Sequence, residues 1–100
     1  MSRRIAFLAA EFSAQWDKSY DDLPANKQEE TDEVVMALLK SQPTHGMRVK
    51  PIQPDKHYHE ARINSGDRVV YRVQEGVCRF VDIVPHDLID KYGRKSKVRG

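Results

Sequence analysis

Apolar and polar positions alternate most regularly around residues 68 to 73, where Val69, Tyr71 and Val73 interleave with Arg68, Val70 and Arg72. A period of two is that of a strand, whose successive side chains leave opposite faces. Glu75-Gly76 follows as a reversal signal, and Cys78 to Val84 runs back as a second strand. Upstream, the stretch opening at Tyr58 supplies a third, turned at Ser65-Gly66. Beyond Val84 a brief helix is expected, with His86 just past the strand and Tyr92-Gly93 closing the segment.

The N-terminal part follows a different period. Ile5 to Ala10 is too short for a secretory signal core and reads as a first strand. Glu11 to Leu23 reads as a helix with Phe12, Trp16 and Tyr20 on one face, broken at Asp21-Asp22-Leu23-Pro24. Pro24 suits a helix start, and Lys27 to Lys40 places Thr31, Val34, Val35, Leu38 and Leu39 at helical spacing. Glu29, Glu30, Asp32 and Glu33 lie in its early turns, where carboxylates complement the helix dipole. Pro43 to Lys56 contains three prolines and is expected to be an extended basic loop carrying Arg48, Lys50 and Lys56. The elements predict an α+β fold: an antiparallel four-stranded sheet packed against an N-terminal helical hairpin, with a short C-terminal helix. One domain is expected over residues 1–93, and residues 94–100 read as a basic flexible tail.

Composition narrows the class. The chain is 39% hydrophobic and 32% charged, which suits a folded globular domain. No apolar run approaches the roughly eighteen residues that cross a bilayer. A single cysteine, Cys78, excludes an internal disulfide and points to a reducing cytoplasm. Net charge is +2, unevenly spread: residues 1–40 hold five Lys/Arg against eight Asp/Glu, and residues 41–100 hold twelve against seven. The basic half, ending in Lys91, Arg94, Lys95, Lys97 and Arg99, fits an anionic partner, with nucleic acid foremost, or a solvated tail.

With this order of elements, the chain resembles the RelE/ParE superfamily of bacterial toxins over roughly residues 4 to 93. The resemblance rests on Tyr58, the Ser65-Gly66 turn, Arg68 to Val73, the strand ending before His86, and the closing Tyr92. The His86 to Tyr92-Gly93 ending looks most like the histidine-using, YafQ-like branch. That branch implies a ribosome-dependent mRNA endonuclease without cofactor or metal, inhibited by a cognate antitoxin protein, with mRNA and the ribosome as partners and no membrane. Cleaving RNA without a metal requires a base for the ribose 2′-hydroxyl, cations for the phosphate, and an acid for the departing 5′-oxygen. The resemblance implies that Arg68 binds phosphate, that His86 is an acid or base, and that Tyr92 stacks on or orients the substrate. His59 falls where the lysine-using branch has a catalytic lysine. Ala61 stands where that branch has a second lysine, so any activity relies on His59, His86 and the arginines.

A two-residue turn at Ser65-Gly66 would put His59, Ile63, Arg68 and Arg72 on one side of the sheet, and a like turn at Glu75-Gly76 would add Arg79 and Val81. The other side, with Val69, Tyr71, Val73, Cys78 and Phe80, would pack on the helices. The expected RNA-binding set is Arg48, Lys50, Lys56, Arg72, Arg79, Lys91, Arg94 and Lys95. Plainer roles stay open: Arg68 as a strand arginine paired with Asp67 or Asp82, His57 and His59 as an HxH metal pair lacking a third ligand, His86 as part of a helix start capped by Asp87, and Tyr92 as an apolar anchor. Two other functions also stay open, a gyrase poison of the ParE type and a member that binds RNA or protein without cleaving.

Overall fold

The computed structural model describes residues 9–40, 42, 44–52 and 58–89. Strand β1 (Ala9–Phe12) leads into helices α1 (Ala14–Asp21) and α2 (Ala25–Leu39). A 3-10 turn (His45–Met47) precedes β2 (Lys50–Pro51), β3 (His59–Arg62), β4 (Asp67–Gln74) and β5 (Val77–Pro85), and a second 3-10 turn (His86–Leu88) follows. The sheet has five strands in the order β1-β5-β4-β3-β2, with β1 parallel to β5 and the other pairs antiparallel.

The α+β class, the two helices and the three-strand meander follow the sequence pattern, but three details differ. The sheet is mixed and five-stranded because α1 and α2 carry the chain from β1 to the far edge, and the β2–β5 meander then returns it to pair β5 parallel with β1. The Pro-rich loop contributes β2, two residues that pair with β3 on the opposite edge; so short a strand containing a proline has no readable period. After β5, only the 3-10 turn His86–Leu88 is described in place of a C-terminal helix.

The first helix also starts later than the apolar pattern indicates. Ser13 caps it, its Oγ accepting from the Trp16 amide at 3.0 Å and donating to the Val81 carbonyl at 2.6 Å. Phe12 therefore stays in β1 and stacks on Phe80 at 5.1 Å between centroids, with Trp16 tilted against both rings. Trp16, Val34, Val35, Leu38, Ala61, Val69, Tyr71, Cys78, Phe80 and Ile83 form the main core between the helices and one sheet face. A partly buried polar tether joins α1 to β5: the Ser19 hydroxyl donates to Asp82 Oδ1 at 2.6 Å.

The opposite, open face carries its own small cluster. Ile52, Val70, Val84 and Ile89 are buried there, with Tyr58 and Val81 packed alongside. A continuous basic face is thus replaced by two charged ends separated by aliphatic side chains.

Candidate nucleic-acid interface

The β3–β4 connection decides which side chains share the open face. Asn64 Oδ1 accepts from both the Gly66 and Asp67 amides at 2.9 Å, and Asn64 Nδ2 donates to Glu30 of α2 at 3.0 Å. This side-chain-mediated turn spans Ile63 to Gly66 and pairs Arg62 with Arg68, Glu60 with Val70, and His59 with Tyr71. The register is one residue away from the one a two-residue turn would set, and a one-residue slip moves a strand's whole side-chain set to the other face. His59 accordingly leaves the arginine face. Its ring lies 5.6 Å from that of Tyr71 on the helix side, and its Nδ1 is buried with no hydrogen-bond partner among the described residues. Tyr58, Glu60 and Arg62 take the open-face positions.

The β4–β5 turn behaves as its residues indicate. Glu75 and Gly76 adopt φ of 51° and 80°, a two-residue turn that pairs Gln74 with Val77 and Arg72 with Arg79. Farther along, Tyr71 pairs with Phe80 and Val70 with Asp82, so Val81 is the extra residue of a bulge.

Two groups of functional side chains result. At the β3–β4 turn end stand Arg62, Arg68, Glu60 and His86. The His86 amide donates to the Gly66 carbonyl at 2.8 Å, seating the exposed His86 on this turn. Arg68 Nη1 donates to the carbonyls of Asn64 at 2.8 Å and Asp67 at 3.0 Å, and Arg68 Nε lies 3.6 Å from Glu60 Oε1. Both side chains of that pair are nearly buried, Arg68 12% and Glu60 8% exposed. Neither Asp67 nor Asp82 is the carboxylate partner of Arg68; Glu60 is. Arg62, by contrast, makes no side-chain hydrogen bond or ion pair among the described residues. Arg62 and Glu60 escape a sequence reading because their face depends on the Asn64-built register.

At the other end, about 13 Å away along β4, a groove of about 540 Å³ opens on the same face. The Arg72 guanidinium lies over the Tyr58 ring, 5.4 Å from its centroid, and Arg79 pairs with Glu11 of β1 at 3.1 Å. Arg48 just before β2 and Lys50 within it are exposed, and Lys50 shares the open face with its register partner Glu60. Lys56, Lys91, Tyr92, Arg94 and Lys95 lie outside the described residues. Cys78 is fully buried, and burial pushes its thiol from 9.0 up to about 12, so it is neither a nucleophile nor a redox group at neutral pH. Burial, and secondarily the Cys78 charge, likewise raises the Tyr71 phenol. Among the described residues, no helix is long and apolar enough to cross a membrane.

No family model matches the sequence, and no curated protein matches it. Solved structures do match the fold. The Escherichia coli DinJ–YafQ toxin–antitoxin complex contains a chain similar at TM-score 0.66 and 19% identity, the match covering 78% of this chain and 91% of that one. A RelB–RelE antitoxin–toxin complex from Methanococcus jannaschii matches at 0.65 and 13% identity, covering 82% and 96%. The YoeB/ParE toxin from Agrobacterium tumefaciens matches at 0.67 and 15% identity, covering 79% and 99%. With its parallel β1–β5 edge, crossover helices and antiparallel meander, this chain has the RelE/ParE toxin fold.

Proposed function

We propose that this protein is the toxin of a toxin–antitoxin module and stops translation by cutting mRNA on the ribosome without a metal. The observation that carries the reading is the seating of exposed His86 on the β3–β4 turn, at the sheet end where Arg62 and Arg68 meet across strands. In-line attack by a ribose 2′-hydroxyl on the neighbouring phosphate leaves a cyclic phosphate and a free 5′-hydroxyl. His86 serves as the proton-transfer group, and Arg62 supplies the cation for the phosphate oxygens. Arg68, tied to carbonyls and Glu60, holds the turn that positions both, and offers the phosphate only the outer part of its guanidinium. Tyr92 stacks on or orients the substrate, while Arg48, Lys50, Lys56, Lys91, Arg94 and Lys95 contact flanking phosphates. Similar folds occur in complexes with antitoxins, and a cognate antitoxin with acidic or helix-forming segments fits the open face here.

The test is induced expression of the wild type beside His86→Ala and Arg62→Ala, both accessible side chains, with growth followed and mRNA 5′-ends mapped. Growth arrest with new breaks inside translated codons, lost in both variants at equal protein level, is the expected result. A second reading, inhibition of DNA gyrase, draws on one observation: His59 is turned to the helix side beside Tyr71, away from the arginine face. Arrest with stalled replication and intact mRNA would select that reading.

A further inference from the structure

The groove at the β4–β5 turn end is far from His86, yet it combines groups that recognise nucleotides. We propose that it is a second nucleotide subsite, in which a base stacks on the Arg72–Tyr58 platform and Arg79 takes a phosphate that displaces Glu11. This rests on the RNA-cutting reading and assigns the groove a nucleotide other than the one cleaved.

Three features support it. The Arg72 guanidinium lies over the Tyr58 ring, 5.4 Å from its centroid, which brings a cationic plane and an aromatic ring together in the groove, and bases stack on aromatic and guanidinium planes whatever their sequence. The Arg79–Glu11 pair is half-exposed, with side chains 52% and 55% accessible, and such pairs hold weakly against a competing anion. The cavity, about 540 Å³ and edged by Gln74 and Val81, falls within the usual range for small-ligand sites. Glu11 is then a latch: it keeps Arg79 partnered when no RNA is present and lowers affinity for any phosphate that does not also bring a stacking base.

The experiment uses the full chain and a fluorescein-labelled 2′-O-methyl hexa-adenylate, which has no 2′-hydroxyl to attack, with binding read by anisotropy across a salt series. Tyr58→Ala should weaken binding roughly tenfold and leave the salt slope unchanged, while Tyr58→Phe should bind as wild type. Arg79→Ala should weaken binding and reduce the slope of log affinity against log salt by about 0.7, the single-strand value for one phosphate. Glu11→Gln should tighten binding roughly threefold. The proposal falls if the wild type does not bind the hexamer, if Tyr58→Ala and Arg79→Ala bind like wild type, or if Glu11→Gln weakens binding. It falls equally if these substitutions impair capture of a poly-glutamate peptide and spare the hexamer, which would make the groove a protein-docking site. Unchanged hexamer binding in the groove variants, alongside wild-type mRNA breaks in cells, overturns the subsite and leaves the nuclease reading standing. Weakened hexamer binding without mRNA breaks in cells does the reverse.

Discussion

Arg68 illustrates how one side chain can matter to a site without facing it. Its guanidinium has four partners: the Asn64, Ser65 and Asp67 carbonyls and the Glu60 carboxylate. Glu60 is buried and has Arg68 as its one polar side-chain partner among the described residues. The two halves of this pair should therefore respond unequally to removal. Arg68→Ala strands a buried carboxylate and removes the guanidinium's bonds to the turn carbonyls, a loss of about 3 kcal/mol by the usual cost of breaking a buried pair. Glu60→Gln keeps an acceptor near Nε and leaves the carbonyl bonds intact, so about 1 kcal/mol is expected. Urea denaturation of the two variants checks the asymmetry. Equal losses would mean the carbonyl bonds contribute nothing and that the pair alone holds the turn. The same reasoning makes Arg62, rather than Arg68, the informative arginine for activity, because its replacement leaves no buried charge behind.

Among the elements, the two hairpins of the meander differ in where their turn information lies. In the β4–β5 turn it lies in the backbone: Gly76 at φ 80° needs no side chain, and Glu75 at φ 51° tolerates a left-handed conformation that favours Asn or Gly. Glu75→Asn should stabilise by about 0.5 kcal/mol, and Gly76→Ala should destabilise by about 1 kcal/mol. In a domain of this size 1 kcal/mol corresponds to a shift in Tm of about 4–8 °C, readable by circular dichroism. An unchanged Tm in both variants would show that the turn is not under positive-φ constraint. Because that turn is backbone-encoded, Arg72 and Arg79 could be placed opposite each other from sequence. The β3–β4 turn is encoded by one side chain, Asn64, bonding forward to Gly66 and Asp67 and across to Glu30. Nothing in a local pattern distinguishes it from a tight Ser65-Gly66 reversal, so the strand of His59 is legible in the sequence and its face is not. The helices were legible from their 3.6-residue period, and the start of α1 was displaced by the Ser13 cap. Strand β2 was not legible, since two residues show no period and gain their order from pairing with β3.

Across the whole molecule, titration links the core to global stability in a way the surface charges do not. The exposed pair of Arg79 with Glu11 and the partly exposed pair of Lys27 with Asp67 contribute little, so stability near neutral pH should vary weakly with salt. Cys78 and Tyr71 are different: both lie in the main core between helices and sheet, reached by water only when that core opens. Burial raises Cys78 from 9.0 to about 12, and raises Tyr71 above its ordinary 10.0. A raised acid keeps its proton in the folded state after the unfolded chain has lost it. Between those two pKa values the native state binds more protons than the unfolded state, so stability falls as pH rises. Their contribution is intact below pH 9, starts to decline as the unfolded thiol ionises, and steepens above 10 as the unfolded phenol follows. Each group adds at most about 1.4 kcal/mol per pH unit to the slope. Denaturation at pH 8, 9, 10 and 10.5 should show this decline in the wild type. Cys78→Ala, though less stable at pH 8 because of the cavity, should show a slope shallower by up to about 1.4 kcal/mol per pH unit from pH 9 upward, and above 10 should keep only the part of the decline that Tyr71 supplies. A slope unaffected by Cys78→Ala would place the thiol in contact with water in the native state, and would reopen the surface of the sheet beside Val73 as a reactive site.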